Sequence, residues 1–301
     1  MKNKFIIFII ILLFCLGNLK WAFAEEFIFE VSNLEIIENG NIYRGNDRGK
    51  IKTDNQLELI SNEFEYLKKI NRLETNGDVQ VFDLKNDITI NAEKIFYLKD
   101  EEKIFTLGKT LIKVSDKYII SGYDLIFLKD EMILSSKKKA IITDSESNIY
   151  TLEQFLYSVE KEILKGENII VTTNNKENNS DKFFFKTGFF NLKENKFLAK
   201  DVVAKLHKNL FGDEENDPRI TAVSGYGDKF NTYFEKGVFT SCKKTDKCPP
   251  WKITSNKIHH DKIKEQVIYR NAWLEVYDFP VIYFPKFFHP DPTVERQSGF
   301  L

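Results

Sequence analysis

Tyr66, Tyr97, Phe127, Tyr157 and Phe190 recur along the chain at intervals of 31, 30, 30 and 33 residues. A fixed period of this size marks a stacked repeat architecture. Each aromatic closes a short apolar run, as in Glu93–Tyr97, Tyr123–Phe127 and Glu153–Tyr157, and a charged stretch follows. Lys99-Asp100-Glu101-Glu102-Lys103 and Lys129-Asp130-Glu131 lead into second apolar runs, Ile104–Leu107 and Met132–Leu134. Three copies continue into a glycine, at Gly77, Gly108 and Gly166. The spacing predicts strand, charged hairpin, strand and glycine bend, repeated from Ile51 to about Ala204 in an elongated all-β structure.

The repeat strands do not alternate apolar with polar residues. Ile95-Phe96-Tyr97-Leu98 and Leu125-Ile126-Phe127-Leu128 are apolar on both faces, so both faces call for cover. Either the sheet lies between two others, or it closes partly on itself around an apolar trough. A trough suits an acyl chain: at about 0.8 kcal/mol per methylene, a twelve-carbon chain gains roughly 10 kcal/mol by leaving water. On that reading Tyr97, Phe105, Phe127, Ile133, Tyr157 and Ile163 line the trough. Phe96, Ile126 and Leu156 then take the other face, and a one-residue slip of register would exchange the two sets.

Lys2 and Lys4 precede an apolar run from Phe5 to Leu16, and Ala22-Phe23-Ala24 offers small residues for cleavage before Glu25. This pattern predicts a secretory signal peptide over residues 1–24. The run is shorter than the roughly 20 residues of a membrane-spanning helix. Cys15 would leave with the signal, so the mature chain keeps Cys242 and Cys248, and export to an oxidising compartment predicts both in disulfides. Asp213-Glu214-Glu215-Asn216-Asp217-Pro218 reads as a surface loop lacking the glycine and terminal glutamate of a calcium loop, and 174–181 reads as a hairpin tip.

A formal net charge of -1 leaves no basic field for nucleic acid. Enzyme signatures are equally thin. Ser224 lacks the glycine two residues before it that a nucleophile elbow needs, and His207, His259, His260 and His289 show no metalloprotease spacing. No catalytic residue, metal or cofactor is nominated. A carbohydrate-active β-solenoid would need a carboxylate cluster that sequence alone does not assemble.

The C-terminal third carries the specific motifs: Tyr233–Cys242, Cys248-Pro249-Pro250-Trp251, Tyr269-Arg270-Asn271-Ala272-Trp273, Pro280-Val281-Ile282-Tyr283-Phe284-Pro285 and Arg296-Gln297-Ser298-Gly299-Phe300-Leu301. Together they resemble the LptD family of outer-membrane LPS-assembly proteins, and the preceding repeats resemble its OstA-type domain. The resemblance implies a periplasmic β-jellyroll over residues 25–295, with 296–301 at the start of a missing outer-membrane β-barrel. It implies that the trough receives lipopolysaccharide from a periplasmic bridge protein of like fold and passes it to the barrel, which an outer-membrane lipoprotein plugs. It also implies long-range bridges from Cys242 and Cys248 to the barrel, although a local Cys242–Cys248 bond stays open. A soluble periplasmic bridge or scaffold protein built from the same repeats is the alternative. The N-terminal edge near Phe27–Val31 is the expected docking strand, with proline at Phe29 as its probe.

Overall fold

The computed structural model describes residues 27–53, 55–173, 180–206, 217–243 and 250–290. The expected signal peptide, the hairpin tip at 174–179, most of the acidic loop, Cys248 and the 296–301 segment lie outside the described residues.

The chain is all-β. It begins with short strands: β1 (Ile28–Glu30), β2 (Glu35–Ile37), β3 (Ile42–Gly45), β4 (Gly49–Lys52), β5 (Leu57–Ser61) and β6 (Glu63–Leu67). Longer ones follow in β7 (Arg72–Asp83), β8 (Ile88–Leu98) and β9 (Lys103–Val114). The middle is divided among β10 (Tyr118–Tyr123), β11 (Ile126–Leu128), β12 (Ile133–Ser136), β13 (Ala140–Asp144), β14 (Ile149–Leu152) and β15 (Gln154–Ser158). The remainder is long again: β16 (Ile163–Thr172), β17 (Lys182–Asn191), β18 (Lys196–Lys205), β19 (Arg219–Gly227), β20 (Asn231–Thr240), β21 (Trp251–Asp261), β22 (Gln266–Val276) and β23 (Phe279–Pro290).

The pairing is antiparallel throughout and resolves into two ladders. The first runs β2, β3, β6, β7, β8, β9, β11, β12, β15 and β16. The second runs β1, β4, β5, β7, β8, β9, β10, β13, β14 and β16. From β16 to β23 every strand contributes one half to each ladder. Aromatic contacts tie the ladders face to face: Tyr118 on the second meets Tyr157 on the first edge-on at 5.6 Å, and Tyr150 meets Phe190 at 6.0 Å. With strands stacked at roughly 4.8 Å intervals, the product is an elongated sandwich of the jellyroll kind.

A strand that serves both ladders must turn between its halves. Alternate long strands do so with a left-handed residue, β7 with two in succession: Asp78, Gly108, Asn168, Asp201, Lys236 and Asn271 have φ of 45°, 82°, 47°, 50°, 52° and 50°. Such a residue bends the strand and re-aims its second half, and at Asp78 and Gly108 the register also shifts by one residue as in a β-bulge. The glycine bends expected at Gly77 and Gly108 are present, with φ of 77° and 82°. Gly166 is a correction. It lies inside β16, and the bend there is made by Asn168, a residue type that tolerates the left-handed region.

The charged hairpins share one scheme. Asn71, Glu102, Met132 and Glu162 end them in the left-handed conformation. The carbonyl of each accepts from the next turn: the Lys99 amide donates to Asn71, Lys129 to Glu102, Val159 to Met132 and Leu192 to Glu162, at 2.8–3.1 Å. This chain of backbone bonds along one rim is the physical form of the period near 30 residues.

Candidate functional site

The space between the ladders is where the repeat aromatics go. Tyr97 opposes Ile104, Phe127 opposes Leu134 and Tyr157 opposes Leu164, and all six side chains are buried. The intervening residues Phe96, Leu98, Ile126 and Leu128 point outward and are only half-buried. The expectation that both faces of these strands are covered is therefore corrected. One face packs inside, while the other exposes apolar side chains at a moderate level that an antiparallel sheet tolerates.

This parity divides the six residues expected to line a trough. Tyr97, Phe127 and Tyr157 face the interior, whereas Phe105, Ile133 and Ile163 face outward and are half-buried. Phe105 pairs with Phe96 and stacks on it at 4.7 Å; Ile133 pairs with Leu128, and Ile163 with Ser158. The cause is the even count of residues, six, between each pair of opposed positions: the residue opposite Tyr97 is Ile104, one before Phe105, and one step along a strand reverses the face.

In its N-terminal half the interior is filled. Phe27 lies 4.6 Å from Tyr66 and 6.1 Å from Tyr97, both edge-on, and closes that end. Further along, the filling gives way to a cavity of about 280 Å³ lined by Tyr150, Val171, Phe183, Phe185, Phe190 and Phe197. The rings hold one another in place, with Phe185 5.7 Å from Phe190 and 6.0 Å from Phe197. Phe190 was legible as the fifth repeat aromatic; Phe183, Phe185 and Phe197 were not. The dense run Phe183-Phe184-Phe185 was their one available signal.

The mouth of this cavity is polar and mixed in sign, with Lys196, Lys229 and Lys262 beside Glu146 and Asp228. Lys196 reaches Glu194 at 2.7 Å. The Asp228 carboxylate accepts the Phe230 and Asn231 amides at 2.8 Å each, which holds it below the usual carboxylate range and fixes the turn it belongs to. An apolar hollow with ammonium groups at its rim can hold a hydrocarbon chain while its anionic end stays in water.

Cys242 is half-buried and forms no disulfide among the described residues, its Sγ 3.6 Å from the Trp251 carbonyl oxygen. Arg219 donates to the Cys242 carbonyl at 2.7 Å and fixes the backbone there. Among the described residues no group of three His, Cys, Asp or Glu side chains is placed to hold a metal ion. His259 stacks on Tyr233 at 4.3 Å and bonds Asn231 at 2.8 Å.

No family model matches the chain. A stretch of 51 residues, 17% of the chain, is 43% identical to the LPS-assembly protein LptD of Francisella tularensis subsp. novicida (strain U112), and equally to that of subsp. holarctica (strain OSU18). That stretch spans 6% of the length of those curated relatives. Among solved structures, LptH of Pseudomonas aeruginosa, described as the LptA-homologous periplasmic component of a lipopolysaccharide transport device, matches with a TM-score of 0.34 and 13% identity. The match covers 41% of this chain and 86% of LptH.

Proposed function

We propose that this chain works in lipopolysaccharide transport and assembly, as the N-terminal periplasmic part of an LptD-like protein of the outer membrane. The 51-residue likeness to LptD proteins supports that kinship. The observation that carries the reading is the aromatic cavity between the ladders, apolar within and with Lys196, Lys229 and Lys262 beside Glu146 and Asp228 at its mouth. Acyl chains enter between the sheets and the phosphorylated end stays at the rim. The role is carriage, with no bond made or broken, so no catalytic group or cofactor is invoked. The partners of this reading are lipopolysaccharide, a bridge protein of like fold at the β1 and β2 end, and a lipoprotein-plugged barrel beyond β23.

Photo-crosslinking amino acids at Phe185, Phe197 and Tyr157 test the interior, and the same probe at Phe105, Ile133 and Ile163 tests the outer face. Capture of lipopolysaccharide at the interior positions alone is expected. Silence there beside labelling at the outer positions would overturn the interior route.

The soluble bridge or scaffold reading has one observation in its favour: both ends of the sandwich are open edges. Among the described residues, β1 and β2 at one end and β23 at the other each pair on a single side. The coding sequence after Leu301 separates the two. Apolar-alternating segments of about ten residues would mark a barrel.

A further inference from the structure

The outward-pointing residues of the first ladder line up across strands. Phe96, Phe105, Ile126, Leu156, Phe189 and Leu198 fall in one cross-strand row, interrupted by Ser135 and Lys165. Beneath the middle of this row the strands carry almost no side chain on the inner face. Gly166 opposes Gly188, which opposes Ala199. A Cβ on Gly166 would overlap Leu152 Cδ2, and one on Gly188 would lie 2.6 Å from the Phe190 ring and 2.8 Å from Ile169. The sheet here is pressed against the interior more closely than any other residue allows, and the outer surface sinks with it.

The result is an outer cleft of about 860 Å³ floored by Ile126, Leu156, Phe189 and Leu198. Phe189 and Leu198, 38% and 57% exposed, are cross-strand neighbours, and Leu156, 39% exposed, lies beyond Lys165 in the same row. Lys137, Lys165 and Lys200 stand around it, against Glu167 as the sole carboxylate of the lining. The Lys165 ammonium lies 5.6 Å over the Phe189 ring, so the cation sits directly on the apolar floor.

We propose that this cleft binds one anionic diacyl phospholipid, its chains across the four apolar side chains and its phosphate among the lysines. The excess of ammonium groups selects an anion, and the exposed Leu and Phe surface selects hydrocarbon. The volume falls within the range that takes one small ligand, which suits one or two chains rather than a many-chained lipid. Strand addition is excluded as the mode of docking, because β15, β16, β17 and β18 are each paired on both sides. The site is on the face opposite the cavity of the transport reading and stands or falls independently of it.

Titration calorimetry of the purified protein with monomeric dioctanoyl phosphatidylglycerol, and separately with dioctanoyl phosphatidylcholine, provides the test. Saturable one-to-one binding is expected, at least tenfold tighter for the anionic lipid. Leu198→Asp, at a solvent-exposed position, should weaken it at least tenfold, and Lys165→Glu with Lys200→Glu should abolish the preference for the anion. Binding that is absent, or unchanged in both variants, would overturn the proposal. So would a wild-type dimer that Leu198→Asp converts to monomer without any lipid binding, since a second copy of the chain would then be what covers the cleft.

Discussion

The residue five places after the repeat aromatic is matched to it in the first three repeats. The Tyr66 hydroxyl donates to Asn71 Oδ1 at 2.6 Å and the Tyr97 hydroxyl to Glu102 Oε1 at 2.8 Å, while Phe127, with no hydroxyl, is followed by Met132. Tyr157 breaks the scheme. Its fifth residue, Glu162, accepts from Lys117 at 2.6 Å and Tyr118 at 3.0 Å, and the buried Tyr157 hydroxyl has no hydrogen-bond partner among the described residues. Removing a hydroxyl bonded to a carboxylate costs about 1–2 kcal/mol, whereas removing an unpaired buried one is neutral or favourable. Urea melts should therefore show Tyr97→Phe destabilised by about that amount and Tyr157→Phe unchanged or more stable. Equal losses would refute the matching. For Glu162, burial favours the neutral acid, but the bonds from Lys117 and Tyr118 outweigh it and hold the carboxyl below its ordinary 4.5. Its contribution is thus present above pH 4.5 and fades as pH falls through the lowered folded value. Lys117 is mostly exposed, which keeps that contribution below about 1 kcal/mol. The stability gap between wild type and Glu162→Gln should stay level from neutral pH down to about 5 and close below pH 4.5; a gap that widens in acid would reverse the sign.

At the scale of the strand, two kinds of glycine look alike in the sequence and act differently. Gly108 has φ of 82° with nothing within 4 Å of an added Cβ, so its role is backbone conformation alone. Gly188 has no such requirement, yet a Cβ there meets Phe190 and Ile169 under 3 Å. Gly108→Ala should cost about 1–2 kcal/mol through left-handed strain. Gly188→Ala should cost about 1–3 kcal/mol through overpacking and shift the resonances of Phe190 and Ile169. Unshifted resonances in Gly188→Ala would show that the sheet is not pinched there. The same distinction explains why Gly166 reads as a bend from its place in the repeat and is not one: the conformational work passed to Asn168, two residues on, and period alone carries no information about which of several permissive residues takes a left-handed φ.

For the whole molecule, the ends matter more than the middle, because every interior strand has both edges paired. Ile28 and Ile36 on the N-terminal edge strands are 56% and 57% exposed, and that end is the expected seat of a like-folded partner. Phe29, where a proline would remove a donor from this edge, also stacks on Phe64 at 5.2 Å and Tyr43 at 5.6 Å, so its loss would damage packing as well as docking. Ile28→Lys with Ile36→Lys separates the two effects. Pull-down of a like-folded bridge protein should be lost while the thermal midpoint moves by less than about 2 °C, since surface changes of this kind alter stability little. Retained binding would remove this edge from the proposed route.

The all-β class, the stacked repeat and its charged hairpins were determined by the sequence itself. Each arises from local rules: a period near 30 residues, turn chemistry, and aromatic side chains that must leave water. The side on which Phe105, Ile133 and Ile163 lie was decided only by tertiary structure, because it depends on how many residues each hairpin consumes before pairing resumes. So was the cavity between Phe185, Phe190 and Phe197, whose residues sit on strands from both ladders. An empty space is set by the mismatch between packed shapes across two sheets, and no single strand's sequence contains that comparison.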